Sequence, residues 1–167
     1  MLDPWYIVGL VEGEGCFSLA INKRPDMKLG WDHRPLFTVS MDCKNTHLLD
    51  EVRKVLNLPE YFLYVYKDQQ THLVVQNVKY LVGNIIPFFD KYPFIGPKKV
   101  QYDGWKKGVM LKYNCKTPCR EVMEEYLKAR EEIQMSTKSK RKYKYNEIVL
   151  ADGTKIGKEK EQYGDGI

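Results

Sequence analysis

Residues 5–17 read WYIVGLVEGEGCF, an apolar run closed at one end only by two carboxylates, Glu12 and Glu14, each followed by glycine. An apolar segment with its acids confined to one end packs as a helix and presents those acids at its tip. Asp3 and Pro4 supply the start, because Asp accepts from free N–H groups and Pro suits the first helical position. The pattern predicts a helix over residues 4–13, with Gly13 and Gly15 permitting a tight exit into a strand. Gly9 and Gly13 lie four apart on one face, a spacing that lets two helix backbones approach closely. The run is far shorter than the ~20 residues that span a bilayer. Two copies crossing at these glycines would bring two Glu14 side chains together. Like charges that close need a cation, and an all-oxygen pair suits Mg²⁺. The plainer reading is a core helix whose glycines only make a turn.

The order of the remaining elements follows from periodicity. Phe17, Leu19 and Ile21 alternate with Ser18, Ala20 and Asn22, the mark of a half-buried strand. Residues 24–35 are expected as a polar loop. Phe37, Val39 and Met41 then face inward, with Arg34, Leu36, Thr38 and Ser40 outward. Leu48, Leu49, Val52, Val55 and Leu56 keep helical spacing until Pro59 stops them. Residues 61–67 and 71–78 are expected to form a hairpin around residues 68–70, with Leu63, Val65, Leu73 and Val75 inward. A helix over residues 79–92, broken or kinked at Pro87, one after Pro97 to about residue 113, and one over residues 118–135 complete the reading. This is an α+β chain of order αββαββα with added C-terminal helices, whose two hairpins join one four-stranded antiparallel sheet backed by helices.

The open face of that sheet would carry Ser18, Asn22, Arg24, Arg34, Thr38, Ser40, Tyr64, Tyr66, His72 and Gln76. Such a face is either ordinary solvated polarity or a binding surface. Arg can read guanine, and Asn or Gln adenine, at base edges in the major groove, which also admits a β-ribbon. The net charge of +5 suits a polyanion without requiring one. Basic residues concentrate in the tail, where Lys138, Lys140, Arg141, Lys142 and Lys144 fall within seven residues, a density that favours phosphate contact. Residues 1–136 read as a core domain and 137–167 as a basic extension, with a small hairpin around Asp152 and Gly153. Four cysteines lack the spacing of a zinc site, which leaves a thiol-rich core or one incidental disulfide. No signal peptide or transmembrane pattern is evident, so the chain is expected to be soluble and intracellular, and in the cytoplasm or nucleoid if the host is prokaryotic.

The segment VGLVEGEG resembles the motif of the LAGLIDADG homing endonucleases, with Glu in both acidic positions and Val8 where Ala is usual. Downstream, PLFTVSMDCKNTHLLDEVRKVL, YFLYVYKDQQTHLVVQNV and IIPFFDKYPFIGPKKVQYDGWK match that family's strand–helix, hairpin and helix–Lys-Lys–helix blocks in order. The likeness is to single-motif, homodimeric members encoded in ribosomal RNA introns, of archaeal type. It implies the family fold and metal-dependent hydrolysis of both strands of a long pseudo-palindromic duplex, leaving short 3′ overhangs. It implies Glu14 as principal metal ligand with the Gly13 carbonyl, and Glu12 as secondary ligand. It implies Mg²⁺, with Mn²⁺ as a substitute and Ca²⁺ as an ion that binds without supporting cleavage. A basic residue near the scissile phosphate falls on Lys98 or Lys99, with Lys99 preferred. The polar residue that organises water in relatives is replaced by Met41, so Asp42 or Asn45 would take that role. The motif occurs once, so a paired-helix site demands a second chain at Gly9 and Gly13.

Two other functions fit the same scaffold. A maturase would bind host intron RNA, although base readout from a sheet suits duplex DNA better than the deep groove of A-form RNA. A regulator would bind DNA without cutting, but it would have no use for Glu12 and Glu14 facing phosphate.

Overall fold

The computed structural model describes residues 1–67, 69–135, 143 and 145–156. Helix α1, Pro4–Glu14, starts as its sequence dictates: Asp3 Oδ1 accepts from the Trp5 N–H at 2.8 Å, and Pro4 opens the first turn. It buries Ile7, Val8 and Val11. The exit at Gly15 is extended, with φ −84° and ψ 149°, a conformation open to any residue. Glycine is needed there for space instead, since a Cβ would lie 2.4 Å from Val11 Cγ1 and 2.7 Å from the Val11 carbonyl oxygen.

Strand β1, Gly15–Lys23, pairs antiparallel with β2, Trp31–Asp42. Strand β2 is longer than its sequence suggests, because the expected polar loop ends at Gly30. Pro35 is tolerated inside it because β4 pairs with β2 only from Phe37 onward. Upstream of that point β2 is an edge on the β4 side, where Pro is permitted. Helix α2, Thr46–Val55, buries Leu49 and Val52. Strands β3, Leu63–Val65, and β4, Gln70–Val75, complete a sheet of order β1-β2-β4-β3.

The second hairpin departs from expectation at both ends. A 3₁₀ turn over Glu60–Phe62 puts Phe62 in the core, and the edge strand that follows is too short to turn Val65 inward; Val65 is 56% exposed. Gln70 lies in β4, not in the turn, which closes through bonds from Gln69 N to Tyr66 O and from Tyr66 N to Gln70 O.

The third helical region does not break at Pro87. It runs as α3, Val78–Tyr80, a π-helical segment, Leu81–Ile85, and α4, Ile86–Lys91. The widened π turn falls directly ahead of the residue that cannot donate a backbone hydrogen bond. Helices α5, Lys98–Asn114, and α6, Arg120–Met135, follow.

The helices cover one face of the sheet. Phe17 sits at the centre of the core, with ring centroids of Phe37, Phe89, Phe94, Tyr102 and Trp105 between 4.9 and 5.7 Å away. Helix α5 packs closely on β1 at Gly108, where a Cβ would meet both Leu19 methyls at 2.5 and 2.6 Å. No cysteine is buried or bonded to another: Cys16 and Cys119 are exposed, and Cys43 and Cys115 are half-buried. Neither a thiol-rich core nor a disulfide is present among the described residues. No described helix is long and apolar enough to cross a membrane.

Candidate functional site

Glu14 is the last residue of α1, exposed, and its carboxylate makes no hydrogen bond or ion pair among the described residues. Glu12, two residues back, is half-buried, and its Oε1 accepts from the Gly96 N–H at 3.4 Å. Both acids sit where the helix dipole is negative, and the last turn of α1 holds no basic residue. Carboxylates at a helix C-terminus cost about 0.3–1 kcal/mol each. An oxygen-rich tip whose carboxylates make no ion pair among the described residues fits a divalent cation. Within one chain the donors are too few, since no cluster of three or more His, Cys, Asp or Glu that could hold a metal occurs among the described residues.

The outer face of α1 bears on that shortage. Gly9 and Gly13 are exposed, and a Cβ at either would meet nothing within 4 Å. Trp5 and Tyr6 on the same helix are 52% and 49% exposed. An apolar helix face with two flat glycines is thus open to a partner.

Of the paired lysines, the structure brings Lys98 to the tip. Its Nζ donates to the Gly15 carbonyl at 2.7 Å, at the junction of α1 and β1. Lys99 turns away and pairs with Asp103 at 2.7 Å. Asp42 lies at the same end of the sheet, three residues past the Gly15–Val39 pair. Its Oδ1 is engaged as a cap, accepting from Lys44 N at 2.9 Å. Asn45 follows in the 3₁₀ turn Cys43–Asn45, and Met41 packs against the core. Gln70 stands directly opposite Asp42 in the β2–β4 ladder, an exposed amide at the acid end. Its expected place in a turn concealed it; the signal was the continuation of β4 alternation through Thr71 and His72.

The open face of the sheet holds the expected polar residues in two clusters. Near the acid end, Ser40 Oγ and His72 Nδ1 lie 2.7 Å apart. The His72 ring stacks on Tyr64 with centroids 5.9 Å apart and meets Tyr66 edge-on at 5.0 Å. Burial, with Tyr66 beside it, pushes the Tyr64 hydroxyl pKa up. Toward the far end, Arg34 donates to Gln76 and lies beside the Asn22 amide. Arg24, in the β1–β2 loop, makes a two-pronged pair with Asp26 at 2.9 and 2.7 Å, raising the Arg pKa and lowering that of Asp26. Ser18 and Thr38 are half-buried between these clusters. Lys138, Lys140, Arg141 and Lys142 lie outside the described residues.

Beneath the far end is a half-buried ion pair set against a buried histidine, which alternation alone did not expose. Lys112 reaches Asp32 at 2.6 Å, and Asp32 Oδ1 lies 3.4 Å from Nδ1 of fully buried His33. Neither His33 ring nitrogen makes a well-formed hydrogen bond. Burial, reinforced by the Lys112 charge, pushes the His33 pKa down to about 4.

The architecture is a four-stranded antiparallel sheet backed by helices, with an acid-tipped entry helix and a polar open face. The family model for LAGLIDADG endonuclease matches residues 7–109, and the chain belongs to that family.

Homing endonuclease I-ApeII of Aeropyrum pernix is 24% identical over 148 residues, 86% of each chain. Probable intron-encoded endonuclease 2 of Neurospora crassa is 26% identical over 155 residues, 93% of this chain and 34% of the relative. Among solved structures, I-SmaMI bound to an uncleaved DNA target in the presence of calcium ions superposes with a TM-score of 0.75 at 25% identity, over 83% of this chain and 47% of that one. I-TnaI, at 20% identity and TM-score 0.70, shares the fold over 81% of this chain and 95% of its own. The chain spans 24%, 34% and 23% of the length of three curated fungal relatives it matches.

Proposed function

We propose that this protein is a site-specific endonuclease of the intron-homing type, which works as a homodimer and hydrolyses both strands of a pseudo-palindromic DNA duplex. The observation that carries this reading is the exposed, unpartnered Glu14 at the tip of a helix whose open face is flattened by Gly9 and Gly13.

Two subunits crossing at those glycines would set their Glu14 carboxylates together, with Glu12 held back by Gly96. Glu14 and the Gly13 carbonyl are the ligands for divalent metal, Mg²⁺ by donor chemistry, and Glu12 is a secondary one. When bound, such metal activates water and stabilises the leaving oxygen. Lys98, anchored on Gly15, is the cation placed to neutralise a scissile phosphate, and this geometry favours it over Lys99. Asp42 and Gln70 are polar groups at the same end of the sheet, of a kind that can position water where Met41 cannot.

The homodimer is supported by the exposed Gly9 and Gly13 face of α1 and by the shortage of metal donors among the described residues of a single chain. Half-sites read by a two-fold dimer lie about 10 base pairs apart. Two nearby cuts across one groove would leave short 3′ overhangs.

Incubation with Mg²⁺ and a randomised duplex library, followed by sequencing of the cut ends, tests this reading. The expected product is one long, partly palindromic consensus with staggered ends. Intact duplexes after prolonged incubation, or cuts without a consensus, would reject it.

A further inference from the structure

The matched family segment ends at residue 109, yet residues 148–156 form a clasp seated on the β1–β2 loop. The clasp turns at Asp152 and Gly153, where Gly153 takes φ +83°. Val149 bridges to Lys155, and Ile156 N donates to Ile148 O at 3.1 Å. Ile148, Leu150 and Ile156 are each at most 3% exposed, so the clasp is part of the core.

Its grip on the loop is specific. Trp31 Nε1 donates to the Val149 carbonyl at 2.7 Å, and Ala151 N donates to Leu29 O at 3.0 Å. Gly30, at φ +77°, lies against Ala151, whose Cβ would be 3.4 Å from an added Cβ. Arg120 of α6 braces the far side through Thr154 Oγ1 at 2.8 Å and the Lys155 carbonyl at 3.3 Å. Lys23, the last residue of β1, lies over the Trp31 and Tyr143 rings at 5.7 and 5.6 Å.

The loop held this way presents Arg24 with its guanidinium fixed by Asp26. An Arg locked in orientation by a carboxylate is pre-organised to donate two parallel bonds to a guanine edge. Strand β1 separates this loop from the acid tip. Nine residues at ~3.3 Å each span roughly 30 Å. At 3.4 Å per base pair, that distance is about eight or nine base pairs.

We propose that the C-terminal clasp determines recognition of the outer end of each half-site, by holding the β1–β2 loop so that Arg24, oriented by Asp26, reads a base about eight or nine pairs from the cut. This rests on the duplex-cleavage reading above. Asp26 and Trp31 act as positioning residues, and the residue that touches DNA is Arg24.

The test is selection of bound sequences from a randomised duplex library in the presence of chelator, for the full chain and for Trp31→Phe, Gly153→Ala and Arg120→Gln. Trp31→Phe keeps an aromatic ring but loses the indole donor. The other two loosen the clasp at exposed Gly153 and half-buried Arg120, outside the buried core, which keeps the test available if Trp31→Phe does not fold. Preference at the outermost positions should fall about fivefold or more in the variants, with inner positions unchanged. Retained outer preference, or an equal loss at every position, would overturn the role of the clasp while leaving duplex recognition intact. A parent protein with no base preference anywhere would remove the duplex reading itself, and this inference with it.

Discussion

Glu12 and Glu14 are placed against the helix dipole, and their position is what a cation would repair. Lys98 and Lys99 show how much a single step along a helix decides. Neighbouring side chains on α5 point about 100° apart, so one reaches Gly15 and the other Asp103. Nothing in the dipeptide itself distinguishes them; only the docking of α5 does. The acids were legible because they interrupt an apolar run, whereas the choice of lysine depends on tertiary packing. His33 carries a prediction at this scale. It is neutral and buried in the folded protein with its pKa near 4, below the 6.5 of a free imidazole. Its contribution is therefore complete above about pH 6.5 and is lost as pH falls toward 4. Urea unfolding should show about 2 kcal/mol less stability at about pH 4.5 than at neutrality from this group. His33→Phe should flatten that part of the profile, and an unchanged slope would show that His33 is not its source.

At the scale of elements, α1, the first hairpin and the order of helices followed from apolar spacing. The misreadings have local causes. Pro35 reads as a loop residue because sequence does not tell that β2 outruns β4. Pro87 reads as a break or a kink, and the chain continues through it because a π turn absorbs the missing donor. Val65 reads as buried because strict alternation assumes a strand longer than three residues. The glycines make a paired prediction. Gly108→Ala should destabilise the fold by about 1–3 kcal/mol, since its Cβ would strike the buried Leu19 side chain. Gly9→Ala meets open space, so the isolated fold should gain about 0.5–1 kcal/mol from helix propensity. Assembly should nonetheless weaken if the two helices cross there. Gly9→Leu should give monomers by sedimentation; persistent dimers would place the interface elsewhere.

For the whole molecule, charge is unevenly distributed along the sequence, with acid at the tip of α1 and base concentrated in residues 138–144. Neutralising Lys138, Lys140, Arg141 and Lys142 together should weaken binding to all duplexes alike and flatten the salt dependence by up to about four in log–log slope. A selective loss on one target would mean that this segment reads bases instead. The clasp was legible as a turn at Asp152 and Gly153, but its seat on the β1–β2 loop was not. That contact joins residues more than a hundred positions apart, with no local pattern to announce it. In the proposed reading, the acidic tip cuts DNA that the sheet has already bound. The most direct measurement compares cleavage and binding of the selected duplex by the parent protein and by Glu14→Gln, with Mg²⁺ present. Cutting should be abolished while affinity changes little. Cleavage by Glu14→Gln at the parental rate would contradict the account.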